Sequence, residues 1–410
     1  MIGTSGTRDR SRRTEQPCPC GDVHSPEIRV YRSASELDEV REFWLANQRH
    51  PNTDFEHFLL VCLLRGEVAG PWVVAVRHDG RYRALVVGRL ERRIVPLQVG
   101  YLRLPGVRAT ALTILHSGVI GQLDEEAAGA VATEIERFLL DGDVDLATVN
   151  LLPESDPLWS ALTRSSQGLV GKTRPRWSTH RELALPSEPG FLLRDMRSKH
   201  RAWIRRKEKD LNAASAGGVR WSWQSPTATA IPEVCERLEA IAKTTYQRGL
   251  GVGFVDNDET RRRLTLFASR RQLRVMLLEI EGRPKAFWFG EVYCGVFHSA
   301  ATGYTPDVRE FEVGTLMFLR MADELVREGV HRLDFGLGDA QYKERFADRS
   351  WREGTIHMFA PTLKGRSLRA AVAGCDYFNR GVREVMERFD LVEPVKTRWR
   401  RRLAGKISPR

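Results

Sequence analysis

Apolar and polar positions fall into two spacings along most of this chain. Residues 1–26 show neither: they are polar, carry Pro and Gly, and predict a disordered leader. From residue 27 the pattern is regular. Ile28, Val30 and Tyr31 predict a short strand, and helical spacing follows over 35–47 and 53–65. Residues 72–76 and 84–89 read as strands joined through His78-Asp79-Gly80, a hairpin signal. A strand over 112–119, a helix over 125–140, a strand over 146–151, a short helix near 156–162 and a strand over 180–185 complete a first half. Pro186-Ser187-Glu188-Pro189-Gly190 then reads as a linker.

The second half repeats that order: a helix over 198–212, a strand over 219–223 and a helix over 231–248. Hairpin strands follow over 273–280 and 285–293, turning at Glu281-Gly282-Arg283-Pro284, then a strand over 296–303. A helix over 313–328 closes on Gly329, followed by a strand over 331–335, a short helix over 341–346 and a strand over 354–359. The halves share an order of elements and almost no identical residues, which predicts a duplicated domain. The expected organisation is a leader (1–26), an N-terminal domain (27–185), a C-terminal domain (186–361) and a helical, basic extension (362–410). The class is α/β (α+β), with mixed central sheets flanked by helices.

Composition narrows the function. At 42% hydrophobic and 29% charged residues the chain has enough apolar material for a core. Runs such as Phe58–Leu64 are too short to cross a bilayer, and the N-terminus lacks the apolar segment of a signal peptide. The six cysteines are scattered, which fits a reducing cytoplasm. Cys18-Pro19-Cys20 with His24 lacks a second Cys/His pair at zinc spacing, so no metal is expected. The net charge of +11 invites a nucleic acid, membrane or phosphate partner, yet it is local. Residues 362–410 carry 13 Lys/Arg against 5 Asp/Glu, and the helix over 197–209 carries seven against one. That argues against wholesale nucleic-acid binding. It predicts one anionic ligand in the body and an anionic membrane surface for the tail.

Several local sequences carry chemistry. The basic helix Ser198-Lys199-His200-Arg201-Ala202-Trp203-Ile204-Arg205-Arg206-Lys207-Glu208, the segment Thr245-Tyr246-Gln247-Arg248-Gly249, the strand with Pro284-Lys285-Ala286-Phe287 and the turn Gly303-Tyr304-Thr305-Pro306 occur in that order. The run from Leu333 to Phe346, LDFGLGDAQYKERF, follows them. Together they resemble the CelD/BioF-like acetyltransferase domain of the GNAT superfamily, related to FemAB peptidoglycan ligases. The resemblance covers about 191–360, and the first half matches only in its order of elements. It implies two tandem GNAT-like domains and transfer of an acyl or aminoacyl group from a thioester or ester to an amine or hydroxyl. The donor would be acetyl-CoA or another acyl-CoA, with aminoacyl-tRNA as the alternative. The acceptor would be a small molecule or a glycan precursor of the cell envelope or an exopolysaccharide.

The residues support specific roles. A helix N-terminus offers unpaired N–H groups to phosphate, which makes Val313, Gly314 and Thr315 the candidate cofactor site. The usual Gly-x-Gly is reduced here to Gly314, and Glu312 beside it is acidic. Asp334, at the end of a predicted strand, should face the crevice of an α/β sheet. Asp339 is a helix cap candidate. Lys343, in a first helical turn that disfavours cations, points to an anionic partner, and the resemblance implies substrate or oxyanion stabilisation there. Glu291 and His298 are the candidate general bases. Arg201, Trp203, Tyr246, Arg248 and Tyr342 would bind substrate. The rival from another class is a non-catalytic protein that keeps this scaffold and docks RNA or an anionic membrane.

Overall fold

The computed structural model describes residues 25–388, apart from Tyr101, 165–169, 216–217, 246–247, 249–252 and Asp339. The leader, Cys18, Cys20, His24, Tyr246, Asp339 and the tail from 389 therefore lie outside the described residues.

Thirteen strands form one sheet. In the first half, β1 (Glu27–Tyr31), β2 (Val68–His78), β3 (Arg81–Val99) and β4 (Leu102–Gly121) pair antiparallel in sequence order. After helix α3 (Glu125–Leu140), β5 (Leu146–Pro153) returns parallel to β4. In the second half β8 (Val219–Gln224), β9 (Leu273–Ile280), β10 (Arg283–Tyr293) and β11 (Val296–Tyr304) repeat this ladder. After a helix over Val313–Arg327, β12 (Arg332–Leu337) returns parallel to β11. Mixed α/β architecture with a twice-used strand order is therefore observed.

The two ladders meet through an exchange. β7 (Arg176–Ala184), the last strand of the first half, pairs with β12 of the second. β13 (Arg349–Phe359), the last of the second, pairs with β5 of the first; β7 and β13 pair with each other. The cores follow the exchange. Ile356, Met358 and Ala360 sit among Trp72, Val74, Ala132 and Val149, whereas Leu183 and Leu185 sit among Trp288, Met317 and Leu333. A cut at 185/186 would thus leave each core without a strand.

Helices cover both faces because the strands are apolar on both. In β2, Trp72, Val74 and Val76 enter one core while Val73 and Ala75 enter the other. Helix α1 (Arg41–Asn47) and helix α2 (Phe55–Leu64) pack one face of the first half, opposite α3 and α4 (Pro157–Arg164). In the second half α7 (Ile231–Ala242) and α8 (Asp258–Ser269) lie on one face. Short α5 (Phe191–Asp195), α6 (Ser198–Ala214) and α9 (Val313–Arg327) lie on the other, followed by α10 (Gln341–Phe346). The halves also meet where Arg65 of α2 makes a bidentate pair with Glu259 of α8, at 2.9 and 2.6 Å. Helix α11 (Leu363–Arg388) closes the described chain over the far ends of β3 and β4.

Three differences from the sequence reading have local causes. Strands β3 and β4 run well past the expected 84–89 and 112–119. Glu91-Arg92-Arg93 broke the apolar pattern, but Glu91 is buried, paired to Arg89 at 3.3 Å and to Thr113 at 2.8 Å. Helix α8 was not expected; its start signal, Asn257 accepting from the Thr260 N–H at 2.8 Å with Asp258 and Glu259 behind it, is legible in retrospect. The helix expected over 35–47 divides into a 3-10 turn (Glu36–Val40) and α1.

Candidate active site at the junction of the halves

Both parallel contacts are short. β11 and β12 pair only from Val296/Arg332 to His298/Asp334, and beyond that register each strand continues without the other. A parallel pair that splits opens a crevice at the C-terminal ends of its strands, where α/β sheets gather ligands. His298 and Asp334 are the last paired residues before the split.

There they touch. His298 Nδ1 lies 3.1 Å from Asp334 Oδ2, and His298 Nε2 is buried without a hydrogen-bond partner among the described residues. The other oxygen of Asp334 accepts from the Gly336 N–H and meets His180 Nε2, both at 2.6 Å. Gly336 has φ +66°, so the chain turns back immediately after the strand to make that contact. His180 comes from β7, delivered by the strand exchange. Its Nδ1 lies 3.0 Å from Glu353 on β13, and Glu353 lies 3.2 Å from His116 Nε2 on β4. His50 covers His298, with ring centroids 4.6 Å apart. Of ten histidines in the chain, four converge on two carboxylates at one spot, too many to be separate packing accidents.

The electrostatics follow the geometry. Burial works against charge on His180, but the carboxylates of Asp334 and Glu353 outweigh it and raise the imidazole to about 9. Burial likewise opposes ionised Asp334, yet the bonds to His180 and His298 hold its carboxyl well below the usual range. Glu353 is held at about 2, against its own burial, by His116 and His180. On His50, burial and then His298 and His116 outweigh the nearby Asp334 carboxylate and push the imidazole well down.

Beside His298 the β10–β11 ladder jumps register, from Phe289 opposite Ala301 to Gly290 opposite Ser299. Ala300 is the extra residue of this bulge and has no partner on β10. Gly290 is required there, because a Cβ would come within 2.1 Å of the His298 carbonyl. Glu291 pairs across from His298, is buried, and has the Arg263 guanidinium 3.7 Å away.

The other expected residues scatter. Lys343 donates to the carbonyls of Phe335 and Leu337, each at 2.6 Å, and so stitches the turn after β12. Tyr342 packs against Trp288 and Phe335 on the other face of the sheet. Arg201 donates to the carbonyls of Leu193 and Arg194, tying α6 to α5. Arg248 pairs with Glu239 at 2.6 Å and donates to the Phe254 carbonyl. Trp203 is partly exposed and stacks on His200. Val313, Gly314 and Thr315 open α9. The residue before them, Glu312, is left-handed (φ +55°), no side chain caps this helix, and its first turn holds no acid. The basic helix α6 runs past this start: Lys207 donates to the Glu310 carbonyl at 2.7 Å.

His50, His116, His180 and Glu353 were not among the expected site residues. They lie on four separate elements, and no local spacing links them. Polar residues buried within strands were the one available signal.

One mixed sheet with helices on both faces, a parallel pair that splits, and a histidine–carboxylate dyad at the split make up the candidate site. Residues 198–344 match the acetyltransferase (GNAT) domain family. Among solved structures, FemX has a TM-score of 0.52 at 10% identity, over 81% of this chain and 98% of its own, and shares the fold. A tandem GNAT protein from the clavulanic acid biosynthesis pathway aligns at 13% identity and TM-score 0.46, over 82% and 99% of the two chains. L-PGS from Bacillus licheniformis aligns at 13% identity and TM-score 0.45, over 84% and 96%. No curated protein matches the sequence. No helix among the described residues is long and apolar enough to cross a membrane.

Proposed function

We propose that the protein transfers an acyl group from a thioester, with acyl-CoA as the first donor to test, to an amine or hydroxyl on a small-molecule or cell-envelope precursor. The observation that carries this reading is the His298–Asp334 dyad at the split of β11 and β12, inside the matched domain. With Nδ1–H donated to Asp334, His298 keeps a lone pair on Nε2 and takes the proton from the attacking group. Attack on the carbonyl builds an oxyanion, which needs a backbone donor. The bulged Ala300, two residues from His298, is the candidate for that donor. Collapse of the tetrahedral intermediate breaks the C–S bond, and the leaving thiolate takes the proton that His298 Nε2 received from the acceptor. At the other end of the donor, the N–H groups of Val313 and Gly314 at the uncapped start of α9 would meet its phosphates, with α6 bringing cations alongside.

An ester donor such as aminoacyl-tRNA would use the same dyad, and the seven cations of residues 197–209 suit either polyanion. The test is a thiol-release assay of the purified chain with acetyl-CoA and longer acyl-CoAs over a panel of amines and aminosugars, beside a parallel assay with charged tRNA. Acceptor-dependent CoA release supports the thioester reading. Transfer from charged tRNA alone replaces it, and no binding of any thioester at millimolar concentration, read by thermal shift, overturns it.

A further inference from the structure

The junction holds a second constellation next to the dyad. His116 on β4, His180 on β7 and Glu353 on β13 present ligand atoms that all lie within 4.8 Å of one another. Ion pairing brings them together, but without full hydrogen-bond geometry. His180 Nδ1 lies 3.0 Å from Glu353 Oε1, and His116 Nε2 lies 3.2 Å from Glu353 Oε2. Even so, His180 Nδ1 and Glu353 Oε2 are buried atoms without a hydrogen-bond partner of acceptable geometry. Glu353 and His180 are each 3% exposed, so water does not satisfy them from bulk. Contacts of the right length and the wrong angle are what ligand atoms around one ion show. With bonds of about 2.1 Å, neighbouring ligand atoms in a tetrahedral shell sit about 3.4 Å apart.

The surroundings hold the same three groups in ligating orientation. His180 Nε2 is committed to Asp334 at 2.6 Å, which leaves Nδ1 as the nitrogen turned toward Glu353, the arrangement that orients a metal-bound imidazole. The Trp351 indole N–H donates to Glu353 Oε1 at 2.8 Å, and its ring stacks on His180 at 4.4 Å. Asn52 Nδ2 lies 3.4 Å from His116 Nδ1.

We propose that His116, His180 and Glu353 bind one divalent first-row transition metal ion of the zinc class, with at least one coordination position left open. Two imidazoles and one carboxylate suit zinc, cobalt, nickel or iron(II), and an all-oxygen shell would be needed for magnesium or calcium. The ion would join β4 of the first half to both exchanged strands, and so clamp the junction on which His298 and Asp334 depend. The imidazoles bind as neutral lone-pair donors and release any proton they carry at Nδ1 or Nε2. This proposal stands apart from the acyl-transfer reading: either holds without the other.

The test uses full-length, tag-free protein stripped with chelator and dialysed. Cobalt(II) is titrated in and its d–d absorption recorded, zinc(II) is then used to displace it, and thermal shift is followed with zinc. One cobalt per chain is expected, with a tetrahedral or five-coordinate spectrum and a higher melting temperature with zinc. Glu353→Gln and His116→Ala should each weaken binding at least tenfold, while the surface variant His331→Ala leaves it unchanged. Because a junction variant can misfold, X-ray absorption on the zinc-loaded wild type gives an independent reading, with two imidazoles expected. Absence of cobalt bands and of a zinc-dependent shift in the wild type overturns the proposal. So does binding lost with His50→Ala but kept in Glu353→Gln, which would put the ion on His50, His298 and Asp334.

Discussion

The two halves use one strand order and start their crossover helices in opposite ways. Helix α3 opens with Asp124, which accepts from the Ala127 N–H at 2.8 Å, followed by Glu125 and Glu126 in the first turn. Helix α9 opens on a left-handed Glu312 with no side-chain cap and no acid in its first turn. The first start caps a donor of its own and places acids beside it; the second has no side-chain cap, although the Thr315 N–H is taken by the Glu312 carbonyl at 2.9 Å. The splits differ in the same sense. Past the β4–β5 pairing, Asn150 donates to the Ile114 carbonyl at 3.2 Å and ties the strands together. The β11–β12 pairing ends on His298 and Asp334, whose side chains meet there. The two copies of one strand order thus differ in how the crossover helix starts and in what joins the parallel strands where they part.

The strongest way to break this comparison is to separate the halves. Residues 27–185 expressed alone lack β13, whose Ile356 and Met358 fill their core, and should show no cooperative thermal transition; a sharp melt would show the exchange to be dispensable. Next comes the dyad against its counterpart. His298→Ala should lower kcat by about 10²–10⁴ with the circular dichroism spectrum unchanged, as loss of a general base does. Asn150→Ala should leave kcat within a few-fold, and equal losses in both variants would erase the distinction.

The seam between the halves gives a smaller, pH-dependent effect. His57 of α2 packs its ring on Phe267 of α8, and burial pushes its imidazole down to about 4. The unfolded chain binds this proton near pH 6.5 and the folded one only near 4. Stability is therefore full above pH 6.5, falls as pH drops through that window, and levels off below 4. The loss is at most about 3 kcal/mol by linkage. Urea melts of His57→Gln against wild type at pH 7.5 and 5 should show the difference shrinking at pH 5; no change between the two pH values counts against it. Last are the helix starts. Gly314→Glu has room, since a Cβ there lies 3.6 Å from Tyr304, and should raise KM for acyl-CoA about tenfold, a 1.4 kcal/mol effect on binding. Asp124→Ala should cost about 1 kcal/mol of stability and leave KM alone.

Local patterns decided much of this protein. The alternation in β2 and β10, the hairpin at Asp79-Gly80, the α9 periodicity ending at Gly329 and the duplicated order of elements all follow from short-range rules, and so did the placing of His298 on a central strand and of Asp334 near the end of the next predicted one. What the chain order could not convey is which strand lies beside which. β7 and β13 read as closing strands of their own halves; only packing of the two cores makes them trade places, since a strand's pattern specifies which face is buried and not its neighbour. That exchange brings His180 and Glu353 to the junction, and the ladder brings His116. It also turns Lys343, which by sequence pointed at a ligand, toward the carbonyls of its own turn. Residues as far apart as His50 and Glu353 share a site because a folded sheet sets their distance, and no spacing along the chain does.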